Sequence, residues 1–196
     1  HAYSNAYQCL VQCISLCSEL ADVDLLHCMS NHDNMLGWCL SQQIASHFRD
    51  DARVNCSDYG KSEAPQKYYV YEQCLIGLAH GDGAKEEKLY ATMVKDVREY
   101  VGKCKHLYWI LHHWHHKVRR RRGTDIQLKE KDHGAMTAIQ SGRGSEEGEH
   151  VNVEYVRSPG GNDAWHVKNG YTAAQAVECF LFHPTNGMKA RFTEWF

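Results

Sequence analysis

The sequence predicts an α/β fold with a mixed β-sheet, and three observations carry that prediction. Short apolar runs alternate with longer stretches of helical periodicity, as where VDLLHC is followed by MLGWCLSQQIASHF. Polar clusters stand directly after several of these runs, where the loops of α/β sheets keep their chemistry. Two strand-like runs, VECFLFH and KARFTEWF, flank the turn-forming HPTNGM near the end, so antiparallel pairing is expected as well.

Taken in order, apolar residues at helical spacing predict a helix near 5–20, a strand near 22–28 and a second helix near 35–48. A short strand is expected at 52–56. KYYVY and CLIGLA, separated by Glu72 and Gln73, read as a β-hairpin. EEKLYATMVKDVREYV has an acidic first turn and helical spacing, and HLYWIL after it is a strand. From Lys117 to about His150 the pattern gives way to charge and glycine, with RRRRG, KEKDHG and SGRGSEEGEH offering little to bury. Residues 118–149 are therefore expected to be a mobile charged loop. VNVEYV resumes strand character, and DAWHVKNGY is read as irregular.

With 196 residues, 43% hydrophobic and 23% charged, the chain has the composition of one globular domain with a sizeable core. A formal charge of −2 gives no global field that would attract nucleic acid or an anionic membrane. No apolar run approaches the roughly 18 residues of a spanning helix and no signal peptide opens the chain, so the expected location is cytoplasmic, without a membrane partner. The nine cysteines, an odd number, form no C-x-x-C pair, so neither a zinc ribbon nor a disulfide ladder is indicated and reduced thiols are expected. Cys9, Cys13 and Cys17 recur every four residues beside Leu10, Ile14 and Leu20, and are expected as small buried hydrophobes on one helix face. The chain opens on His1 and enters a helix at once, as a chain beginning inside a domain would.

Fourteen histidines ask for a chemical explanation, because imidazole is the commonest metal ligand and titrates nearest neutrality. Three clusters follow apolar strands: Asn31-His32-Asp33, His80-Gly81-Asp82 and His112-His113-Trp114-His115-His116. Strand ends of a parallel sheet align along one edge, so residues far apart in sequence can meet there. Amide oxygen and neutral imidazole suit a divalent transition metal, and in an extended segment His113 and His115 face the same side. Asn and Asp are also ordinary turn and N-cap residues, and a histidine run can be a solvated surface.

The order N-H-D, H-G and H-x-H, each after a strand, resembles the second half of the calcineurin-like metallophosphoesterases. KYYVY, LIGLAHGDGAKEEKL, HHWHHK and DAWHVKNGY extend the likeness to phage-encoded members of that superfamily related to DNA repair exonucleases. The resemblance covers most of the chain apart from the basic loop. It implies the C-terminal portion of a four-layer α/β/β/α sandwich with mixed sheets, a single domain over 1–196 that is incomplete at its N-terminus. It also implies metal-dependent hydrolysis of phosphoesters, with DNA as the substrate class and manganese(II), or else zinc, ferrous iron or nickel, as the cofactor. Asn31, His80 and His113 would bind one ion and His115 the other, while His32, oriented by Asp33, would act on the phosphate as catalytic residue.

Two departures stand out. Ser30 and His112 occupy positions that are usually glycine in those motifs. More consequentially, no Asp-x-His or Gly-Asp strand precedes Asn31, so the acidic ligands would have to come from an upstream segment or a partner chain. A catalytically silent binding module is therefore the alternative expectation. A structural zinc site using Cys104 and histidines is a third. Arg119 to Arg122 can be read as a phosphate contact or as a solvated loop.

Overall fold

Why the apolar pattern resolves into these elements is clearest from what each face meets. The structure, a computed structural model, describes residues 2–31, 34–57, 59, 64–83, 86–112, 151–160 and 175–195. They form two compact units, 1–67 and 68–196. The expectation of one domain over the whole chain concerns how these units assemble, which the internal geometry of each does not test.

In the first unit, α1 (Ala2–Leu20), β1 (Val23–Asp24), α2 (Asn34–His47) and β2 (Val54–Asn55) surround a small core. Ile14 from α1 and Ile44 from α2 bury against Phe48, Val54 and Tyr59, the i, i+3, i+4 logic of an amphipathic pair. The Tyr7 hydroxyl also meets His47 Nδ1 at 2.9 Å, tying the two helices at their polar margin. β1 and β2 are parallel, Val23 opposite Val54, and Asn55 Nδ2 donates to Asp24 Oδ1 at 2.7 Å. β1 is far shorter than the strand expected at 22–28, because its partner β2 is itself two residues long and only Leu25 N–H to Asn55 O (3.0 Å) continues the ladder.

A second correction concerns the cysteines of α1. Cys9, Cys13 and Cys17 do share a face, but it is the exposed one, in company with Leu16 and Leu20. The larger apolar residues Tyr7, Leu10, Val11 and Ile14 take the inward face, while the cysteines share the outward face with Asn5, Gln8 and Gln12.

In the second unit the sheet order is β3 (Gln66–Tyr71), β4 (Cys74–Ala79), β5 (His106–Leu111) and β6 (Asn152–Tyr155). β3 turns into β4 through Glu72 and Gln73, with Glu72 at φ 51°, the sign that tight hairpin turns require of their first central residue. β4, β5 and β6 are parallel, Ala79 level with Leu111 and Leu111 level with Tyr155. Between β4 and β5 the chain crosses over through α3 (Glu86–Val101).

Alternation sorts each strand onto two covered faces. Leu75, Ala79, Leu107, Trp109 and Leu111 bury against Leu89 and Met93 of α3. Gly77 lies opposite Trp109 in the ladder, and a Cβ there would come within 2.8 Å of the indole, so glycine makes room for it. On the other face Cys74, Ile76 and Tyr108 pack on Phe182 and Met188 of the antiparallel hairpin β7 (Ala176–His183) and β8 (Gly187–Trp195). This unit is thus three-layered: helix, mixed sheet, hairpin. An α/β architecture with mixed sheets is established.

Candidate functional site

The three parallel strands end at one edge, and backbone hydrogen bonds lock the ends together. His112 N–H donates to His80 O at 3.0 Å, one step beyond the last paired residues of β4 and β5. Val156 N–H donates to Leu111 O at 2.8 Å, which brings the end of β6 and the following Arg157 to the same edge. His80 and His112, the first residues of the H-G and histidine-rich clusters, therefore stand side by side at this edge.

Gly81 explains how. It is buried, with φ +103°, and its missing Cβ would lie 3.4 Å from His112 O. No L side chain adopts that backbone conformation without strain, so glycine lets the chain leave β4 against the end of β5. His112 titrates below the ordinary imidazole range, through burial first and repulsion by His80 second. Solvent still reaches His112, which limits how far dehydration acts on it; both causes leave the ring neutral at pH 7, the form that donates a lone pair.

The remaining expected site residues are placed as follows. Asn31 lies in an exposed turn of the first unit, three residues before α2 begins. His32, Asp33, His113 and His115 lie outside the described residues, as does the expected loop at 118–149. Among the described residues no three His, Cys, Asp or Glu side chains stand together in a way that could hold a metal ion. Cys104 precedes β5 whereas His112 follows it, about 20 Å away at roughly 3.3 Å per strand residue, so one zinc cannot take both. Burial also pushes the Cys104 thiol up, away from the thiolate a metal needs.

Two features of this edge were not read from the sequence. The first is a buried ion network. Arg191 Nε meets Glu178 Oε2 at 2.5 Å and its Nη1 meets Glu154 Oε2 at 2.7 Å, while Nη2 donates to Tyr155 O at 2.6 Å. Thr193 Oγ1 adds a bond to Glu178 Oε2 at 2.8 Å. Burial opposes the charge on Arg191, but the two carboxylates outweigh it and raise its proton affinity. The signal was present: strict alternation on β7 puts Glu178 between Ala176 and Phe180 on the inward face, where a carboxylate demands a cation.

The second is a cleft of about 320 Å³ beside His112. Its lining, almost wholly apolar, includes Ile110, Val156, Ala176 and Phe180, with contributions from Arg157 and Glu178. The Arg157 guanidinium lies 4.2 Å from the centre of the Trp195 ring.

Among the described residues, no helix is long and apolar enough to cross a membrane. Comparison with protein-family models, with characterised proteins and with solved structures finds no match.

Proposed function

We propose that this chain is the C-terminal portion of a calcineurin-like metallophosphoesterase domain, a four-layer sandwich that hydrolyses phosphoesters with divalent metal ions. The observation that carries the reading is the locking of His80 to His112 at the carboxyl ends of two parallel strands, the edge where the H-G and H-x-H motifs would have to meet. The helix, sheet and hairpin order of the second unit suits three of the four layers.

Asn31, His80 and His113 hold one ion in this reading, and His115 the second. The donor type fits manganese(II), with zinc, ferrous iron or nickel as substitutes, since neutral imidazole and amide oxygen bind all of them. Bound metal supplies Lewis acidity and an activated water in such sites. The chain's own work is done by His32, which stabilises charge on the phosphate or protonates the leaving oxygen, and by Asp33, which fixes the orientation of that ring. DNA is the preferred substrate class and the compartment is cytoplasmic.

The donor set lacks carboxylates, and the sequence holds no Asp-x-His or Gly-Asp strand before Asn31. The acidic ligands are supplied by an upstream segment or a partner chain, because two imidazoles and an amide leave most of the ion's charge uncompensated. That same absence favours the second reading, a binding module without catalysis.

Hydrolysis of bis(p-nitrophenyl) phosphate with manganese(II) separates them. Residues 1–196 alone turn over little or nothing, whereas a chain extended upstream, or mixed with one carrying the acidic strands, is active and loses activity on His32→Ala or His113→Ala. Robust turnover by residues 1–196 alone, or an active extended chain indifferent to both substitutions, refutes the assignment. An inactive completed site that still binds metal supports the silent module.

A further inference from the structure

We propose that Cys9 and Cys13, on consecutive turns of α1, form a two-coordinate thiolate site for a soft monovalent cation, copper(I). The inference is independent of the proposed function, which uses none of these thiols.

The helix brings the thiols together. Residues four apart on an α-helix are surface neighbours, with Cβ atoms about 5–6 Å apart. Cys9, Cys13 and Cys17 follow that spacing and all three are exposed. The Cys13 thiol is hydrogen-bonded to Cys9 and feels Cys17 only through its charge, which makes Cys9 and Cys13 the closer pair. Cys13 titrates above the ordinary thiol range, through dehydration first, then repulsion by and a hydrogen bond with Cys9, then repulsion by Cys17. Solvent reaches the residue, which limits the first cause; the repulsion between thiolates is what a cation held between them relieves.

The spacing favours a bridging ion over a disulfide. A disulfide needs Cβ atoms about 3.5–4.5 Å apart, closer than an intact helix brings residues four apart. Two metal–sulfur bonds of roughly 2.3 Å each place the sulfurs about 4.6 Å apart when the metal lies in line between them, a span that consecutive turns offer.

The surroundings select the ion. Zinc takes four ligands in a structural site and three protein ligands in a catalytic one, whereas among the described residues no three His, Cys, Asp or Glu side chains stand together to hold a metal. Cys17 is two turns from Cys9, about 12 Å along the axis, so it does not complete a three-thiolate set. Glu19, the single charged residue of α1, stands beyond the i+3 and i+4 positions that face Cys13. Asn5, Gln8 and Gln12 share the outward face and offer only amides. A pair of soft donors without carboxylate or imidazole suits copper(I) in linear coordination and not magnesium, calcium or manganese. On binding, each thiol releases one proton and each sulfur donates a lone pair, leaving a complex of net charge −1 with no electron transferred.

The test is copper(I) binding to the full, reduced chain without oxygen, in competition with bathocuproine disulfonate. The wild type is expected to hold one ion more than Cys13→Ser, on two sulfur neighbours by X-ray absorption, with about two protons released per ion in weakly buffered solution. Cys13→Ser leaves the remaining thiols of α1 two turns apart and should weaken binding at least about hundredfold, the loss of an intramolecular second ligand. Cys9→Ser should weaken it less, because Cys13 and Cys17 repeat the spacing. Cys39→Ser and Cys179→Ser alter exposed cysteines with no cysteine four residues away and should leave binding unchanged. Far-ultraviolet circular dichroism checks that α1 is intact in each variant. Binding by Cys13→Ser equal to that of the wild type, a nitrogen or third sulfur on the copper, or displacement of copper(I) by an equal concentration of zinc overturns the proposal.

Discussion

Replacing Gly81 by alanine tests whether the strand-end edge is held as described. The backbone there sits at φ +103°, beyond the left-handed region that an L-residue can visit, so the side chain costs about 1–3 kcal/mol of strain. Sterics add little, because the new Cβ would stand 3.4 Å from His112 O and 3.5 Å from Leu111 Cβ, near ordinary contact. Alanine also stiffens the unfolded chain, which returns about 0.4–1 kcal/mol. The net expectation is a loss of roughly 1–2 kcal/mol, read as a lower midpoint in urea denaturation followed by fluorescence and circular dichroism. Gly83→Ala is the control: its Cβ would meet nothing within 4 Å and its φ is not in the positive region, so its midpoint should barely move. If the two variants are equally stable, Gly81 is not the hinge that lets β4 end against β5, and the geometric argument for the His80 and His112 edge fails with it.

Other expectations follow from the same structure. Arg191→Met removes the cation shared by buried Glu178, at 4% side-chain exposure, and half-buried Glu154, at 17%, and should cost about 3 kcal/mol by denaturant titration. The Tyr68 hydroxyl donates to Asp96 Oδ2 at 2.8 Å and is pushed up, by burial first and by Asp96 second. Its folded value therefore exceeds the unfolded one of about 10, so its contribution is intact below that pH and lost as pH rises above it. Wild-type denaturation midpoints should fall between pH 9 and pH 11 more steeply than those of Tyr68→Phe. With a thiol reagent on the native chain, Cys9, Cys13, Cys17, Cys39 and Cys179 should react first and buried Cys74 last; fast labelling of Cys74 ahead of α1 would contradict the assigned faces.

Much of the second unit was legible because strand and helix periods are local properties. HLYWIL and EEKLYATMVKDVREYV became β5 and α3 with their expected bounds, and the meeting of His80 with His112 followed from parallel strand ends. What escaped depends on partners remote in sequence. β1 stops where β2 runs out, and α1 turns its cysteines outward because its neighbours occupy the other face. Arg157 and the Arg191 network gain their meaning only when β6 and the terminal hairpin are laid on the sheet, and no spacing within one segment encodes that.

The parallel pairing of β5 with β6 sets an order of assembly. Joining them closes a loop containing residues 113–150, at an entropic cost of roughly 3 kcal/mol before any contact is made. The β7 and β8 hairpin pairs neighbours across a short turn and can form in microseconds, and the β4, α3, β5 crossover is also comparatively local. β6 therefore joins late, and Arg191 cannot reach Glu154 until it does. That order would bring His80 and His112 side by side before Val156 and Ala176 are laid next to them. The surface beside these strand ends is thus expected to be the last part of the second unit to take shape.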